Sequence, residues 1–470
     1  MTNCFNFAPV KMTETLRNFI NEHSKDDLSE LLLSGSRYDG IDVKEAVVQI
    51  KARNSIKDKL PSWYCNDRLL FPSTLAAEQC SSEITASYKQ KLVRSRDCIC
   101  DLTGGLGVDT YFFSKKAGRV VYVEKDERYC KAARYNMDIL GATNVCVVNA
   151  DAVEFVVNNS DADSRVYGLF DECVSGADVI ESSDAISGNI SGADVFYIDP
   201  ARRGTGNKRM FAIGDCEPDL TKIWPMLLKK ECVVIVKLSP MLDITQVVAQ
   251  LPGVCEIHIV SVKNECKELL AIAGSISRVK QHKEIASCLP MTDSNATNSS
   301  ATSLVGGTTR QSQYLYIVCA NYTSENDVRN FSFFMSEEQS AASYMAEDIG
   351  LYLYEPNSSI LKAGAYKLVA LRYNVKKLHT SSHLYTSDDL VPSFPGRVFE
   401  VMEIIPFNNR ICKDLVSTIP QANIATRNFP ISVDELRKRT HITDGGNIYL
   451  FATTLKDNKK VIVKCQKPSQ

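Results

Sequence analysis

The spacing of hydrophobic residues changes near residue 95. Before that point, residues 41–56 and 73–92 place their apolar side chains at helical spacing, and Pro61 follows the first of these stretches. Proline disfavours continuation of a helix, so we expect the first helix to end before it. The pattern predicts a helical N-terminal region over residues 1–95.

From residue 98 onward, short apolar runs alternate with amphipathic segments. Strands are expected at 98–102, 119–124, 144–149, 194–199 and 231–238, and helices at 108–116, 126–140, 219–230 and 243–251. This alternation predicts a parallel sheet with helices on both faces. The apolar runs 255–262 and 268–272 are joined by five residues, which suits a hairpin that adds an antiparallel edge strand.

Two polar segments interrupt this order. Residues 151–194 are rich in Asp, Ser and Gly, and residues 292–312 are rich in Thr, Ser, Asn and Gly with almost no charge, as in a linker or a mobile loop. The expected division is a helical region at 1–95, an α/β domain at 96–275 with an acidic insertion at about 158–193, a small α+β domain at 276–392 with the flexible segment 292–312, and a final α+β domain at 393–470.

Composition is that of an ordinary soluble chain. It has 470 residues, 44% hydrophobic, with 54 Lys and Arg against 56 Asp and Glu. The run of about 20 apolar residues that a membrane span requires is missing, and so is a secretory signal pattern. The sixteen cysteines are scattered without a C-x-x-C motif, which favours reduced thiols over a zinc site. We therefore expect a cytoplasmic protein without a metal centre or a membrane partner.

The near-neutral net charge hides a local imbalance. Residues 151–194 contain ten Asp and Glu and one Arg, a net charge of −9, which leaves +7 on the remainder because the chain sums to −2. From Gly396 onward the sequence has twelve Lys and Arg and seven Asp and Glu, a net charge of +5. A basic face for an acidic partner is compatible with this distribution.

The motif D-L-T-G-G-L-G at residues 101–107 lies between an expected strand and an expected helix. Glycine there lets the backbone approach a ligand closely, although the dinucleotide fingerprint would need glycine at Thr110. Glu124 ends the next strand, where a carboxylate can accept both ribose hydroxyls of a nucleoside cofactor. Asp151 follows the third strand. A solvated strand end or a helix cap is the alternative for each acid.

The motif D-P-A-R-R at residues 199–203 follows the fourth strand. Ligands of open α/β sheets bind at the carboxyl ends of the strands, so this motif should share a rim with the glycine-rich loop. Arg202, Arg203, Lys208 and Arg209 form a basic cluster, either a solvated loop or a contact for a phosphate or acidic substrate.

Three further segments are candidates for the same rim. The motif K-L-S-P-M-L-D begins at Lys237, N-E-C-K-E begins at Asn264, and E-Q-C-S-S-E begins at Glu78. Plain turns explain the first two equally well, and helix capping explains the third.

These motifs resemble those of a known class of enzymes. The loop at 101–107 resembles motif I of class I S-adenosylmethionine (SAM)-dependent methyltransferases, and D-P-A-R is similar to motif IV of enzymes that methylate nucleic-acid bases. Ala201 replaces the second proline of that motif, and no aromatic residue follows to stack on a flipped base. Carbon-5 uridine enzymes need a cysteine after the next strand, where this chain has Leu238 and Ser239, so we reject that mechanism.

Together with E-P-N at 355–357, L-K-A-G at 361–364, F-P-G-R at 394–397 and D-G-G-N-I-Y at 444–449, these motifs make the chain similar to bacterial class I SAM-dependent methyltransferases with a THUMP-like C-terminal domain. The resemblance implies a Rossmann-like α/β sheet, an N-terminal helical region and C-terminal ferredoxin-like and THUMP-like α+β domains. It implies that SAM binds at Gln79, Asp101, Thr103, Gly105, Gly107, Glu124 and Asp151. Catalytic roles are expected for Asp199, Pro200 and Arg202, and substrate contacts for Arg203, Lys208, Arg209 and Asn264.

THUMP domains belong to RNA-modifying enzymes, so the resemblance also implies an RNA partner, a tRNA or rRNA base, reached through the basic C-terminal unit and the Arg202/Arg203 cluster. Two alternatives stay open. One is a small-molecule or protein methyltransferase in which the C-terminal unit serves dimerisation. The other is a SAM-binding protein without catalysis.

Overall fold

The computed structural model describes residues 12–158, 193–202, 213–229, 232–274 and 314–468. The chain forms two compact units, residues 1–256 with 268–305, and residues 257–267 with 306–470. Most of the acidic insertion expected at about 158–193 and all of the flexible segment expected at 292–312 lie outside the described residues. The domain boundaries expected from the sequence stay predictions. Of the described helices, none is long and apolar enough to cross a membrane.

Short helices form the N-terminal region of the first unit. They are α1 (Glu14–Glu22), α2 (Leu28–Leu33), α3 (Val43–Ile56), α4 (Pro61–Tyr64), α5 (Thr74–Gln79) and α6 (Glu83–Lys91). The amphipathic stretch 73–92 is two helices and not one, because the side chain of Ser82 accepts the backbone N–H of Thr85 and starts a new helix. Trp63 is fully buried in the core beneath these helices.

A twisted α/β sheet forms the rest of the first unit. Its strands are β1 (Cys98–Asp101), β2 (Arg119–Glu124), β3 (Val145–Asn149), β4 (Val195–Ile198), β7 (Val233–Leu238) and β9 (Glu265–Ala273), in the order β3-β2-β1-β4-β7-β9. The first five are parallel, and β9 pairs antiparallel to β7. The intervening helices are α7 (Val108–Ser114), α8 (Glu127–Leu140), α9 (Ala152–Asn158), α10 (Leu220–Leu228) and α11 (Ile244–Gln250). The expected parallel sheet with an antiparallel strand is confirmed, but β9 is not an edge strand, because it lies between β7 and the strand β8 (Val254–Val262).

A short ladder follows β4. The strands β5 (Ala201–Arg202) and β6 (Cys216–Glu217) pair antiparallel directly after the D-P-A-R-R aspartate. This ladder has no counterpart in the sequence-based expectation, since each strand is only two residues long.

The second unit holds the C-terminal strands. The long strand β8 (Val254–Val262) lies across the division between the units, and β10 (Tyr316–Tyr322) and β11 (Val328–Phe334) form an antiparallel pair. A seven-stranded sheet has the order β13-β14-β12-β15-β18-β17-β16. Its strands are β12 (Tyr352–Pro356), β13 (Lys376–Lys377), β14 (Tyr385–Ser387), β15 (Gly396–Pro406), β16 (Asn423–Arg427), β17 (Tyr449–Thr454) and β18 (Lys460–Gln466).

The strand β15 joins the two halves of this sheet. Residues 396–400 pair with β12, and residues 400–406 pair with β18, with a register shift between Val401 and Glu403. The two halves form one sheet because β15 pairs with both β12 and β18. A register shift of this kind bends the strand. The helices of this unit are α12 (Met335–Ser340), α13 (Ser358–Ala363), α14 (Tyr366–Arg372), α15 (Asn409–Thr418) and α16 (Val433–Thr440).

Candidate active site

The glycine-rich loop after β1 is held close to the neighbouring strand. The Gly104 N–H donates to the carbonyl of Val123 at 2.9 Å, and the Tyr122 hydroxyl donates to the carbonyl of Gly105 at 2.7 Å. A Cβ on Gly104 would lie 2.2 Å from the Tyr122 ring, so a larger residue does not fit there. Gly107, with a φ of 85°, then starts helix α7.

Asp101 fixes the glycine-rich loop through hydrogen bonds. It is 1% exposed, and its two oxygens accept the Thr103 N–H at 3.1 Å and the Thr110 hydroxyl at 2.6 Å. Burial raises the pKa of Asp101 to about 7, and the nearby carboxylates of Asp109 and Asp199 add to this rise, whereas the hydrogen bonds from Thr110 and Thr103 oppose it. The aspartate therefore orders the loop through hydrogen bonds.

Two other strand-end acids lie beside the loop. Glu124 accepts the Gly105 N–H at 3.1 Å on Oε2 and the Asp126 N–H at 3.0 Å on Oε1, which leaves each oxygen a further lone pair. Asp151 accepts the N–H groups of Val153 and Glu154 through Oδ1 and starts α9. Asp151 is therefore a helix cap that also faces a cleft.

The strand ends line one cleft of 790 Å³. Its walls include every residue expected to hold the cofactor, together with Asp199 and Pro200: Gln79, Asp101, Thr103, Gly105, Gly107, Glu124 and Asp151. The carboxyl ends of parallel strands meet at one edge of a sheet, which is the physical reason that these distant motifs come together. Their expected roles stay predictions.

Asp199 is fixed by two contacts. Its backbone N–H donates to Thr103 Oγ1 at 2.6 Å, and its Oδ2 accepts Lys237 Nζ at 2.6 Å. Pairing of Ile198 with Val236 in adjacent parallel strands places these two residues side by side. Within the described residues, Asp199 Oδ1 has no hydrogen-bond partner, and the side chain is 32% exposed.

Lys237 keeps its charge in this setting. Burial lowers the pKa of Lys237, but the carboxylates of Asp199, Glu268 and Asp109 outweigh burial and hold that pKa above its usual value. The ammonium group therefore stays protonated and holds Asp199 in one orientation. Its Nζ also lies 3.4 Å from Ser81 Oγ.

A buried charge network lies behind this pair. Lys89 is fully buried, and its Nζ lies 3.0 Å from Asp109 Oδ1, 3.0 Å from Glu268 Oε2 and 2.8 Å from Ser81 Oγ. The hydroxyls of Ser81 and Tyr197 both donate to Asp109 Oδ2 at 2.8 Å. Through Ser81, this "rim network" connects helix α6 to the Lys237–Asp199 pair.

Only part of the rim network could be predicted from the sequence. Ser81, Lys237 and Glu268 lie in motifs that were candidates for the rim, but Lys89 and Tyr197 gave no signal. Lys89 reads as an ordinary polar residue of an amphipathic helix, and Tyr197 as an apolar residue of a buried strand. Only the fold brings them to Asp109.

The expected substrate contacts lie elsewhere or are not described. The backbone of Arg202 pairs with Cys216 in the short ladder, and its side chain, like Arg203, Lys208 and Arg209, lies outside the described residues. Asn264 belongs to the second unit and does not line the cleft. It has a φ of 63° in the turn after β8, and its Oδ1 accepts the N–H of Ser358 at the start of α13.

Comparisons with known proteins agree with this architecture. A ferredoxin-like domain model matches residues 352–395, and a THUMP domain-like model matches residues 396–467. A solved structure of a proposed methyltransferase from Porphyromonas gingivalis W83 is similar at 31% sequence identity and a TM-score of 0.75, covering 98% of this chain and 100% of that chain. No sequence among the curated proteins matches.

Two more distant solved structures also match. A proposed methyltransferase from Streptococcus mutans in complex with SAH has 13% identity and a TM-score of 0.21, covering 33% of this chain and 70% of that chain. An rRNA methylase from Streptococcus thermophilus has 10% identity and a TM-score of 0.26, covering 41% of this chain and 94% of that chain.

Proposed function

The chain belongs to the methyltransferase family of the Porphyromonas gingivalis protein, with ferredoxin-like and THUMP-like C-terminal domains, and we propose that it transfers a methyl group from SAM to a base of RNA. The observation that carries the proposal is the single cleft in which the glycine-rich loop, Glu124, Asp151 and Asp199 meet. A nucleoside cofactor and an acceptor atom need this combination side by side.

The residues of the cleft fit SAM. Its volume of 790 Å³ is within the range of about 300–1,000 Å³ usual for cofactor sites. Glu124 keeps lone pairs for two ribose hydroxyls, and the loop at 101–107 offers backbone where a Cβ would collide. When bound, SAM supplies an electrophilic methyl group on a positively charged sulfur. The rim network together with Lys237 and Asp199 contains three carboxylates and two ammonium groups, a formal net charge of −1. This excess negative charge favours binding of the positively charged sulfur of SAM.

Asp199 is the residue best placed to orient the acceptor. Asp199 lines the cleft, its Oδ2 is held by Lys237, and its Oδ1 has no hydrogen-bond partner among the described residues, so an N–H of a target base has one fixed acceptor to bind. Pro200 lines the same cleft. Because methyl transfer is an in-line displacement, alignment and desolvation of the two reacting atoms supply much of the rate enhancement. Lys237 acts through Asp199 as a positioning residue.

The C-terminal domains support RNA as the substrate. The THUMP-like match covers residues 396–467, and the chain carries a net charge of +5 from Gly396 onward. A phosphate backbone is attracted to such a surface irrespective of its base sequence. The choice of RNA over a protein or small molecule rests on this charge and on the analogy with THUMP domains.

The test is turnover of tritium-labelled SAM with cell fractions from a strain that lacks the gene. The proposal expects label in total RNA, sensitive to ribonuclease. Label only in the protein or metabolite fraction would assign another substrate class. Binding of SAM without methyl transfer in any fraction would contradict the proposed activity and would identify the chain as a SAM-binding protein without catalysis.

A further inference from the structure

In the second unit, one buried carboxylate is paired with two arginines. Glu355 lies on β12 with its side chain 3% exposed. Arg397 Nε donates to Glu355 Oε2 at 2.8 Å, and Arg427 Nε donates to Oε1 at 2.7 Å. Removing a carboxylate from water is costly unless it is paired, which one arginine would already achieve. Two guanidinium groups on one carboxylate leave a formal charge of +1.

Both arginine side chains remain partly exposed to solvent. The side chain of Arg397 is 45% exposed and that of Arg427 is 37% exposed. Arg397 directs Nε and Nη2 to Glu355, while Arg427 directs Nε and Nη2 to Glu355 and Nη1 to the carbonyl of Thr426. A guanidinium has five N–H donors, so each arginine keeps donors that no group in the described part of the chain accepts.

A third arginine lies next to this pair. Arg329 on β11 is exposed, and its Nη1 donates to the carbonyl of Gly396 at 3.4 Å, one residue before Arg397. That contact is long, and Arg329 does not touch Glu355. A Cβ on Gly396 would lie 2.0 Å from the Glu355 carbonyl, so glycine is what lets β15 approach β12 closely enough to bring the cations together.

We infer that Arg329, Arg397 and Arg427 form a binding site for phosphate groups of an RNA backbone, here named the arginine cluster. The inference rests on the proposed function, since it identifies how the RNA substrate is held. Guanidinium groups bind phosphate oxygens through paired N–H donors, and Glu355 fixes two of them before the ligand arrives. Little side-chain freedom is then lost on binding, which favours affinity.

The cluster draws on three segments of the sequence. Glu355 lies in the part matched by the ferredoxin-like model, Arg397 and Arg427 lie in the THUMP-like match, and Arg329 on β11 lies outside both. The two arginines are therefore fixed by a carboxylate from another segment, and the phosphate site depends on how these segments pack together. Truncation at residue 394 would remove strands that pair with β12, and point substitutions are therefore the correct test.

The experiment measures the affinity of the full chain for a fluorescein-labelled RNA hairpin of mixed sequence, at several salt concentrations. Arg329→Met is the decisive variant because it leaves the Glu355 pairs intact. We expect it to weaken binding on the order of fivefold and to reduce the slope of log affinity against log salt by about 0.7–0.9, the effect of one lost phosphate contact. Lys222→Met, which removes an exposed cation (67%) outside the basic C-terminal residues, is the control and should change neither quantity measurably.

Arg427→Lys supplies a second readout. It keeps the charge but loses the fork, so the salt slope should stay near that of the unaltered chain while affinity falls. Melting temperatures of all variants separate loss of binding from loss of folding. Arg329→Met with the affinity and salt slope of Lys222→Met would overturn the inference, as would equal affinity for the hairpin and for polyglutamate.

Failure of the inference and failure of the proposed function give different results. If the unaltered chain methylates RNA and Arg329→Met binds RNA normally, only the arginine cluster is wrong. If the unaltered chain binds the hairpin through the cluster but labels no RNA, only the proposed activity is wrong. If it neither binds nor labels RNA, both fall together.

Discussion

The two units solve the problem of a buried carboxylate in opposite ways. In the first unit, Asp109 and Glu268 share the fully buried Lys89, and the network together with Lys237 and Asp199 has one carboxylate more than it has cations. In the second unit, Glu355 has two arginines that reach solvent. The first arrangement closes on itself and leaves negative charge beside the cleft. The second leaves positive charge at the surface.

The opposite signs of the excess charge favour different ligands at the two places. A positively charged sulfonium is favoured beside the excess carboxylate, and a phosphate beside the excess guanidinium. Burial decides the strength of each effect, because interactions out of water are screened less than those at the surface. The rim network should therefore govern stability and geometry, and the arginine cluster should govern salt-dependent affinity.

Removal of Lys89 should have the largest effect on stability. Lys89→Met leaves Asp109 and Glu268 buried without their shared cation, so the free energy of unfolding should fall by about 3–5 kcal/mol, measured by urea denaturation. Lys222→Met removes a lysine that is 67% exposed and should change it by less than about 0.5 kcal/mol. Equal stability of the two variants would contradict a structural role for the rim network.

A smaller effect tests Asp101, which has no ion pair with a cation among the described residues. Burial raises the pKa of Asp101 from 3.8 to about 7, so the folded state holds a proton that the unfolded state releases between pH 4 and pH 7. Stability from this group is present at low pH and is lost as pH rises through that window. Its size is on the order of a few kcal/mol, since one pKa unit corresponds to about 1.4 kcal/mol.

Asp101→Asn should remove this pH dependence, because asparagine imitates the neutral acid. The measurement is the free energy of unfolding of both proteins from pH 4 to pH 8, with the difference between them as the readout. The unaltered chain should lose stability relative to Asp101→Asn as pH rises. A constant difference would show that the Asp101 carboxyl titrates alike in both states.

The smallest effect concerns the electrostatic reach of the arginine cluster. Burial, followed by Lys377 and Arg427, lowers the pKa of His383 to about 4. Removing one of these cations in Arg427→Met should raise that pKa by up to about one unit, measured from the imidazole proton shifts in NMR titrations. An unchanged pKa would place the Arg427 charge too far from His383 to act on it.

Much of the candidate site could be predicted from the sequence, because strand-end residues of a parallel sheet share one rim. Asp101, Glu124 and Asp199 each follow a recognisable apolar strand, and the fold brings them to one cleft. Lys89 and Glu268 are 179 residues apart, and nothing local to either one indicates the other. Their pairing depends on how helix α6 packs against the antiparallel strand β9.

The arginine cluster could not be predicted from the sequence for a similar reason. E-P-N and F-P-G-R were visible as motifs, but β12 and β16 were not predicted as strands. Glu355 and Arg427 meet because β15 pairs with β12 through one half and with β18 through the other. Such a bend comes from the register of a sheet, which no short stretch of sequence encodes. The ferredoxin-like and THUMP-like domains themselves were correctly predicted.

The role of Asp199 in orienting the acceptor is tested most directly in Asp199→Ala, by measuring SAM binding and methyl transfer separately. Calorimetry would measure the dissociation constant for SAM, and single-turnover labelling would measure transfer to RNA, with Asp26→Ala, a substitution at a 53% exposed aspartate, as the control. We expect a dissociation constant for SAM within about twofold of that of the unaltered chain and a loss of methyl transfer of at least about 100-fold. Unchanged transfer by Asp199→Ala would contradict this role.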